Sequence, residues 1–287
     1  MIFSARMARP KKDRRKRARP KGAAMNNAVI TVENLSKRYK NAKAPAVDNI
    51  SFSVGAGEFF AFLGQNGAGK TTTISVLTTT LAKTGGGVTI VGYDLDRETQ
   101  DIRKNIGIIF QKPSLDLDLS AEENIRLHAC MYGMYGYRPF FSWMPKSYRD
   151  RVMELAALMG IADELHKPLR TFSGGMRRKI EIIRSLMHKP AVLFLDEPTQ
   201  GLDPVSRRDL WEYINATRKE NGTTVFLTTH YIDEAENVDK LCMIQRGKIV
   251  FHGTPGELKK SLQSESVSTE LTLEDAYIGL LTEGEQR

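Results

Sequence analysis

A glycine-rich run directly behind a short apolar run restricts this chain more than any other feature. Gly64, Gln65, Asn66, Gly67, Ala68, Gly69, Lys70 and Thr71 satisfy G-x-x-x-x-G-K-S/T immediately after FFAFL, so the pattern requires a buried strand, a tight loop and a helix in that order. Glycines let backbone N–H groups close around phosphates, and the helix beginning near Thr71 aims its positive end at them. Lys70 would reach the β and γ phosphates, with the hydroxyls of Thr71 and Thr72 at the helix start and Thr71 directed at Mg2+. Such a unit belongs to an α/β fold with a largely parallel sheet.

Three further runs repeat the strand signal: IGIIFQ, AVLFLDE and TTVFLTTH, each near-continuously apolar or β-branched over strand length. Ligands of open α/β sheets bind beyond the carboxyl ends of strands, so four segments deliver their polar residues to one rim. Asp196 and Glu197 end the second of these runs, with Pro198 blocking continuation. Asp196 would hold Mg2+ through water, and Glu197 would orient and deprotonate water for in-line phosphoryl transfer. Gln111 closes IGIIF, where its amide oxygen would join the metal's shell. His230 closes VFLTT and would donate to a γ-phosphate. A strand-end glutamine or histidine alone carries little meaning; both gain it from the shared rim.

SGGMRRKIEIIRSL reads as a helix capped by Ser173, with Gly174 and Gly175 leaving its amino end open as a second anion site. It belongs to residues 112–175, which are mostly helical in pattern (AEENIRLHACMYG, YRDRVMELAALMG) and read as a helical subdomain inserted into the sheet domain. The aromatic and methionine-rich stretch from Met131 to Tyr148 lies within it and has two readings: internal packing, or a docking surface for a partner helix. Upstream, AVITVENLSKRYK through ISFSVGAGE alternates with period two, as half-exposed antiparallel strands do. Downstream come a strand pair turning near Arg246 and Gly247, a helix from GTPGELKKSL, a polar linker at residues 263–269 and a last short helix capped by Thr272.

Charge is concentrated at one end. Residues 1–24 hold ten Lys and Arg against Asp13 alone, a balance of +9, whereas the whole chain is +8, so the remainder carries about −1. The basic segment, residues 1–27, has a disordered composition and no apolar run behind it. Its readings are an arm on anionic lipid, an arm on nucleic acid, or a segment without a role, with Met25 as the true start. Cys130 and Cys242 are the only cysteines and have no ligand spacing, which points to a reducing compartment. No stretch has the roughly 18 consecutive apolar residues of a membrane-spanning helix.

Taken together, GQNGAGKTT, Gln111, SGGMRR, LFLDE, GLD and His230 resemble the nucleotide-binding subunits of ABC transporters over about residues 28–255. The resemblance implies an ABC ATPase domain: a P-loop NTPase core with parallel sheet, an antiparallel β subdomain and an inserted α-helical subdomain, followed by a helix and short tail over 256–287. It implies a Walker A at Gly64–Thr72, a Q-loop at Gln111, and a signature at Ser173–Arg177 with Met176 where the family commonly has glutamine. Walker B falls at Leu193–Asp196, the catalytic carboxylate at Glu197, the D-loop at Asp203, the switch histidine at His230 and the adenine-stacking aromatic at Tyr39. It further implies a head-to-tail homodimer with two ATPs, Mg2+, and a separate integral-membrane permease that holds the chain at the cytoplasmic face of the membrane. SGGMRRKIEII, PTQGLDP, TTHYIDEAE and LEDAYIGL are similar to the daunorubicin-type and ABC-2 exporter branch, so export is the expected direction.

Soluble ABC ATPases acting on nucleic acid or ribosomes share every ATP motif and form the alternative. They typically insert a long coiled coil or fuse two cassettes, neither of which is visible here; nucleic acid is therefore not an expected partner. A nucleotide-binding regulator without turnover is opposed by the intact set of Lys70, Glu197 and His230.

Overall fold

The computed structural model describes residues 28–111, 114–262 and 272–285. The basic segment at 1–27 and the linker at 263–269 lie outside the described residues. The period-two region forms the antiparallel pair β1 (Ala28–Lys37) and β2 (Val47–Gly55). On β2, Val47, Ile50, Phe52 and Val54 are buried between exposed or half-buried polar positions. The core sheet starts at β3 (Phe59–Leu63), which leads into helix α1 (Lys70–Leu77). Next, β4 (Gly85–Ile90) and β5 (Tyr93–Asp94) extend the first sheet to the order β2-β1-β4-β5. GGGVTI has no strand-like composition; pairing of Ile30 with Ile90 and Val32 with Val88 recruits it through the buried face of β1.

After α2 (Thr99–Asn105), β6 (Ile106–Ile109) joins the core sheet. The helical region contributes α3 (Ala121–Met131), α4 (Lys146–Leu158) and α5 (Gly174–Leu186). β7 (Val192–Asp196), α6 (Pro204–Asn221) and β8 (Thr224–Thr229) follow, then the hairpin β9 (Lys240–Gln245) and β10 (Lys248–Gly253), with α7 (Pro255–Leu262) and α8 (Leu273–Glu285) last. The core sheet runs β10-β9-β3-β8-β7-β6, parallel throughout except for the edge strand β10.

Strand alternation separates two cores. Phe60, Phe62, Phe194 and Phe226 point to the face covered by the antiparallel sheet, while Phe59, Ala61, Leu63, Leu195 and Leu227 point to the face covered by α3–α6. The Phe226 ring lies 5.3 Å from Phe60, 5.4 Å from Phe194 and 5.8 Å from Phe62 between centroids, so one aromatic layer joins three adjacent strands. This register brings the carboxyl ends of β3, β8, β7 and β6 side by side.

The caps follow the local sequence. Ser120 and Glu123 close a reciprocal capping box on α3, and Thr272 receives the Asp275 N–H at 3.1 Å at the start of α8. Within the Met131–Tyr148 stretch only part of the side chains pack internally. Met144 and Tyr148 are buried, with the Tyr148 hydroxyl donating to Glu122 Oε1 at 2.9 Å, whereas Met131, Tyr137, Phe140 and Trp143 are exposed. No described helix is long and apolar enough to cross a membrane.

Candidate functional site: a phosphate loop facing an acidic strand end

Helix α1 begins straight out of the loop because Gly69 adopts φ +115, a conformation other residues rarely take, at a position where a Cβ would fall 2.6 Å from the Ala46 carbonyl oxygen. Residues 65–67 and 69–72 form one wall of a cleft, Gln111, Glu197 and Gln200 form the other, and Ala46 sits at its edge. Lys70 is almost fully buried. Its ammonium donates to the carbonyls of Gly64 at 2.6 Å and Gln65 at 3.2 Å and lies 3.6 Å from Glu197 Oε1. Burial lowers its proton affinity, opposed by the charges of Glu197 and Asp196.

Glu197 sits just beyond β7 at φ +45, with its N–H donated to the Thr228 carbonyl at 3.0 Å. That strained turn aims its carboxylate back into the cleft. The side chain is met by Gln111 Nε2 at 3.2 Å, His230 Nδ1 at 3.2 Å and the Lys70 ammonium. Gln111 also donates to Gln200 Oε1 at 2.7 Å, so its amide nitrogen is shared between two acceptors while its oxygen meets no donor among the described residues. Asp196 is buried at the strand end and accepts a 2.5 Å hydrogen bond from Thr228, its cross-strand partner. Burial pushes the Asp196 carboxyl above the usual carboxylate range, more than the Thr228 hydroxyl lowers it.

Thus Lys70, Gln111, Asp196, Glu197 and His230 converge on one rim, although Gln111 and His230 lie just past their strands rather than within them. Gly64 accepts the Lys70 ammonium through its carbonyl, and Ala68 is buried under the loop. Tyr39 is 45% exposed, its hydroxyl 3.2 Å from Thr72 Oγ1, beside the cleft rather than lining it. Ser173, Gly174, Gly175 and Asp203 are not brought to the cleft of their own chain. Ser173 caps α5 through the Met176 N–H at 3.2 Å. Asp203 caps α6, accepting from the N–H groups of Val205 and Ser206, each at 3.0 Å, and from the Ser206 hydroxyl at 2.6 Å. Gly175 packs against Ser206, so these two amino ends form one surface.

Sequence reasoning missed several members. Gln200 was legible in PTQGLDP, three residues beyond Glu197. Thr228 and Ala46 carry no sequence signal, since only sheet register and the β1–β2 connection place them. Arg178, the second arginine of SGGMRR, is buried and donates to the carbonyls of Phe110 and Pro198 and to Glu181, which ties α5 to the ends of β6 and β7. Thr199 donates to the buried Glu234 carboxylate, which joins the turn after β7 to the segment after β8.

Residues 47–200, from β2 through the acidic strand end, match the family model described as ABC transporter. The chain belongs to the ABC transporter family. It is an ATP-binding and ATP-hydrolysing member, as the motifs led one to expect. It is 40% identical to the daunorubicin/doxorubicin resistance ATP-binding protein of Streptomyces peucetius over 86% of this chain and 71% of that one. It is 36% identical to the linearmycin resistance ATP-binding protein of Bacillus subtilis over 83% of this chain and 73% of that one. The fold superposes on a solved ATP-binding subunit of an ABC transporter with TM-score 0.75 and 27% identity, covering 88% of this chain and 99% of the other. A dimeric ATP-binding cassette in a post-hydrolysis state with ADP and Pi gives TM-score 0.69 at 25% identity over 78% and 98%.

Proposed function

We propose that the chain powers an exporter: two copies bind ATP head to tail, close on it, hydrolyse it, and so drive a separate membrane permease from the cytoplasmic face. The observation that carries this reading is Glu197, held in a buried turn and ringed by Lys70, Gln111 and His230 opposite the phosphate loop. Export is supported by relatives named for drug resistance.

Within this reading the loop amides and Lys70 hold the β and γ phosphates, and Tyr39 covers the adenine. Glu197 takes a proton from water, oriented by Gln111, while His230 donates to the γ-phosphate. Asp196, Thr71 and Gln111 fit Mg2+: they offer a buried carboxylate, a hydroxyl and an available amide oxygen, all hard oxygen donors. A bound Mg2+ at these residues would supply neutralisation of phosphate charge. Ser173, Gly174, Gly175 and Asp203 reach the second copy's nucleotide. Their exposed, jointly packed helix ends support that use, since one chain leaves them away from its own cleft.

The alternative on nucleic acid or ribosomes is not favoured, since the relatives are named as resistance ATP-binding proteins. The deciding experiment is capture of tagged Glu197→Gln protein with ATP and Mg2+ from detergent-solubilised host membranes. Co-purification of a polytopic membrane protein is expected; recovery of ribosomal proteins or nucleic acid alone would overturn the exporter reading.

A further inference from the structure

We propose that the excursion between α3 and α4 rests in the headgroup layer of an anionic bilayer, a surface contact of this chain separate from its nucleotide site. Inward and outward side chains alternate across it. Phe141 packs on Tyr148, with ring centroids 6.1 Å apart, and on His166 at 5.6 Å, while Met144 is 2% exposed. Interleaved with these anchors, Phe140 just before Phe141 and Trp143 just before Met144 are 57% and 60% exposed, their rings edge to face at 5.0 Å. Tyr137 is 63% exposed on the same excursion, and Met131 at the end of α3 is 84% exposed. A tight turn pinned from beneath, holding two touching rings in water, is not accounted for by packing of its own chain.

The surrounding chemistry selects the occupant. From Met131 to Arg149 there is no Asp or Glu, whereas Arg138, Lys146 and Arg149 are basic. Lys146 pairs with Asp150 at 2.6 Å, and Arg149 donates to the Ser142 carbonyl at 3.3 Å. Arg138 is exposed and makes no ion pair among the described residues. Tryptophan and tyrosine favour the membrane–water interface because one end is apolar and the other polar, and an arginine beside them is attracted to anionic headgroups. Aromatic bodies beside an arginine that makes no ion pair among the described residues, on a segment without Asp or Glu from residue 131 to 149, match a phosphatidylglycerol-type surface. The inference rests on the reading that the subunit works at a membrane, but its test does not depend on transport.

The chain has two tryptophans, Trp143 and Trp211. Trp211 packs against Phe59 with centroids 6.0 Å apart, so full-length Trp211→Phe keeps an aromatic there and leaves Trp143 as the sole indole. This protein is mixed with phosphatidylcholine vesicles, with and without phosphatidylglycerol and with brominated acyl chains. Trp143 emission is expected to move to shorter wavelength and be quenched by bromine only when phosphatidylglycerol is present. Arg138→Gln is expected to weaken vesicle binding about fivefold, the worth of one basic residue near an anionic surface. ATP hydrolysis measured alongside stays at the parent rate in both variants; a parent without hydrolysis would fail the functional reading and leave this one standing. If Trp211→Phe does not fold, the difference between the parent and Trp143→Phe spectra gives the same signal. Vesicle binding with unchanged Trp143 emission would assign the contact to the basic segment at residues 6–21. A shift produced by detergent-solubilised permease and not by vesicles would assign the rings to a partner helix. Either result overturns the proposal.

Discussion

The Lys70 ammonium faces the Glu197 carboxylate across 3.6 Å, with both side chains more than nine-tenths buried. The cation proposed to bind phosphate and the carboxylate proposed to activate water are thus each other's partners in the protein without nucleotide. A buried cation of lowered proton affinity depends on that counter-charge. Glu197→Gln is therefore expected to keep ATP binding while turnover falls about 100-fold or more, the usual worth of a general base. Phosphate release measured beside bound nucleotide checks this, and turnover at the parent rate would remove Glu197 from its assigned role.

Asp196 carries a buried charge with one strong hydrogen bond, and burial already favours its neutral form. Asp196→Asn keeps the oxygen that Thr228 reaches and removes the charge. Without nucleotide or divalent ion, the variant is expected to unfold at a higher temperature than the parent, by a few degrees. With both present, it should lose metal-dependent hydrolysis. A lowered unfolding midpoint in the nucleotide-free protein would show that the carboxylate is compensated by other groups.

Gly69 combines φ +115 with a Cβ position only 2.6 Å from the Ala46 carbonyl oxygen and 3.1 Å from Ile244 Cδ1. Gly69→Ala must therefore displace the loop, with a stability loss of about 1–3 kcal/mol and failure to bind nucleotide. Gly136→Ala, whose added methyl meets nothing within 4 Å, serves as the tolerated control. Equal behaviour of the two variants in urea unfolding and nucleotide titration would contradict the assignment.

Thr199 is fully buried and donates to Glu234, whose burial pushes its carboxyl upward. Glu234→Ala strands the Thr199 hydroxyl, at a cost of about 1–3 kcal/mol. It also loosens the link between the segments that carry Gln200 and His230, so kcat should fall more than KM changes. Glu234→Gln retains an acceptor and should recover most of both. Steady-state kinetics with urea unfolding separates these outcomes.

His128 stacks on Tyr132 at 4.3 Å in the helical region, and its proton affinity is driven down to about 3, first by burial and then by Arg184 and His188. The unfolded chain takes up this proton near the ordinary value of 6.5, before the folded one does. Stability is accordingly full above that value and falls as pH drops from it towards 3. At about pH 5 the loss from this group is about 2 kcal/mol. Urea unfolding of His128→Gln should show a correspondingly smaller decline between neutral and mildly acidic pH; an identical decline would place the acid sensitivity elsewhere.

Much of the rim was legible because its signals are local. An apolar run followed by Gly64–Thr71 describes its own strand, loop and helix, and an acidic pair closing AVLFL announces its place at a strand end. The strands β4 and β5 were not legible, since GGGVTI forms a strand only because β1 offers Ile30 and Val32 as partners. Nor could the aromatic stretch be divided by reading it: Phe140 and Phe141 are adjacent and identical, yet one is exposed and the other packs under Tyr148.

The sequence by itself determined the four apolar core-strand runs and the chemical kinds of residue at each strand end, because steric periodicity, glycine freedom and capping act within a few residues. Only the tertiary structure decided which strand ends are neighbours. The order β3-β8-β7-β6 does not follow the chain, and it sets Thr228 beside Asp196 and brings Lys70, Gln111 and His230 to Glu197. Those contacts arise from pairing between distant segments, which is selected by burial of the two faces of the whole sheet.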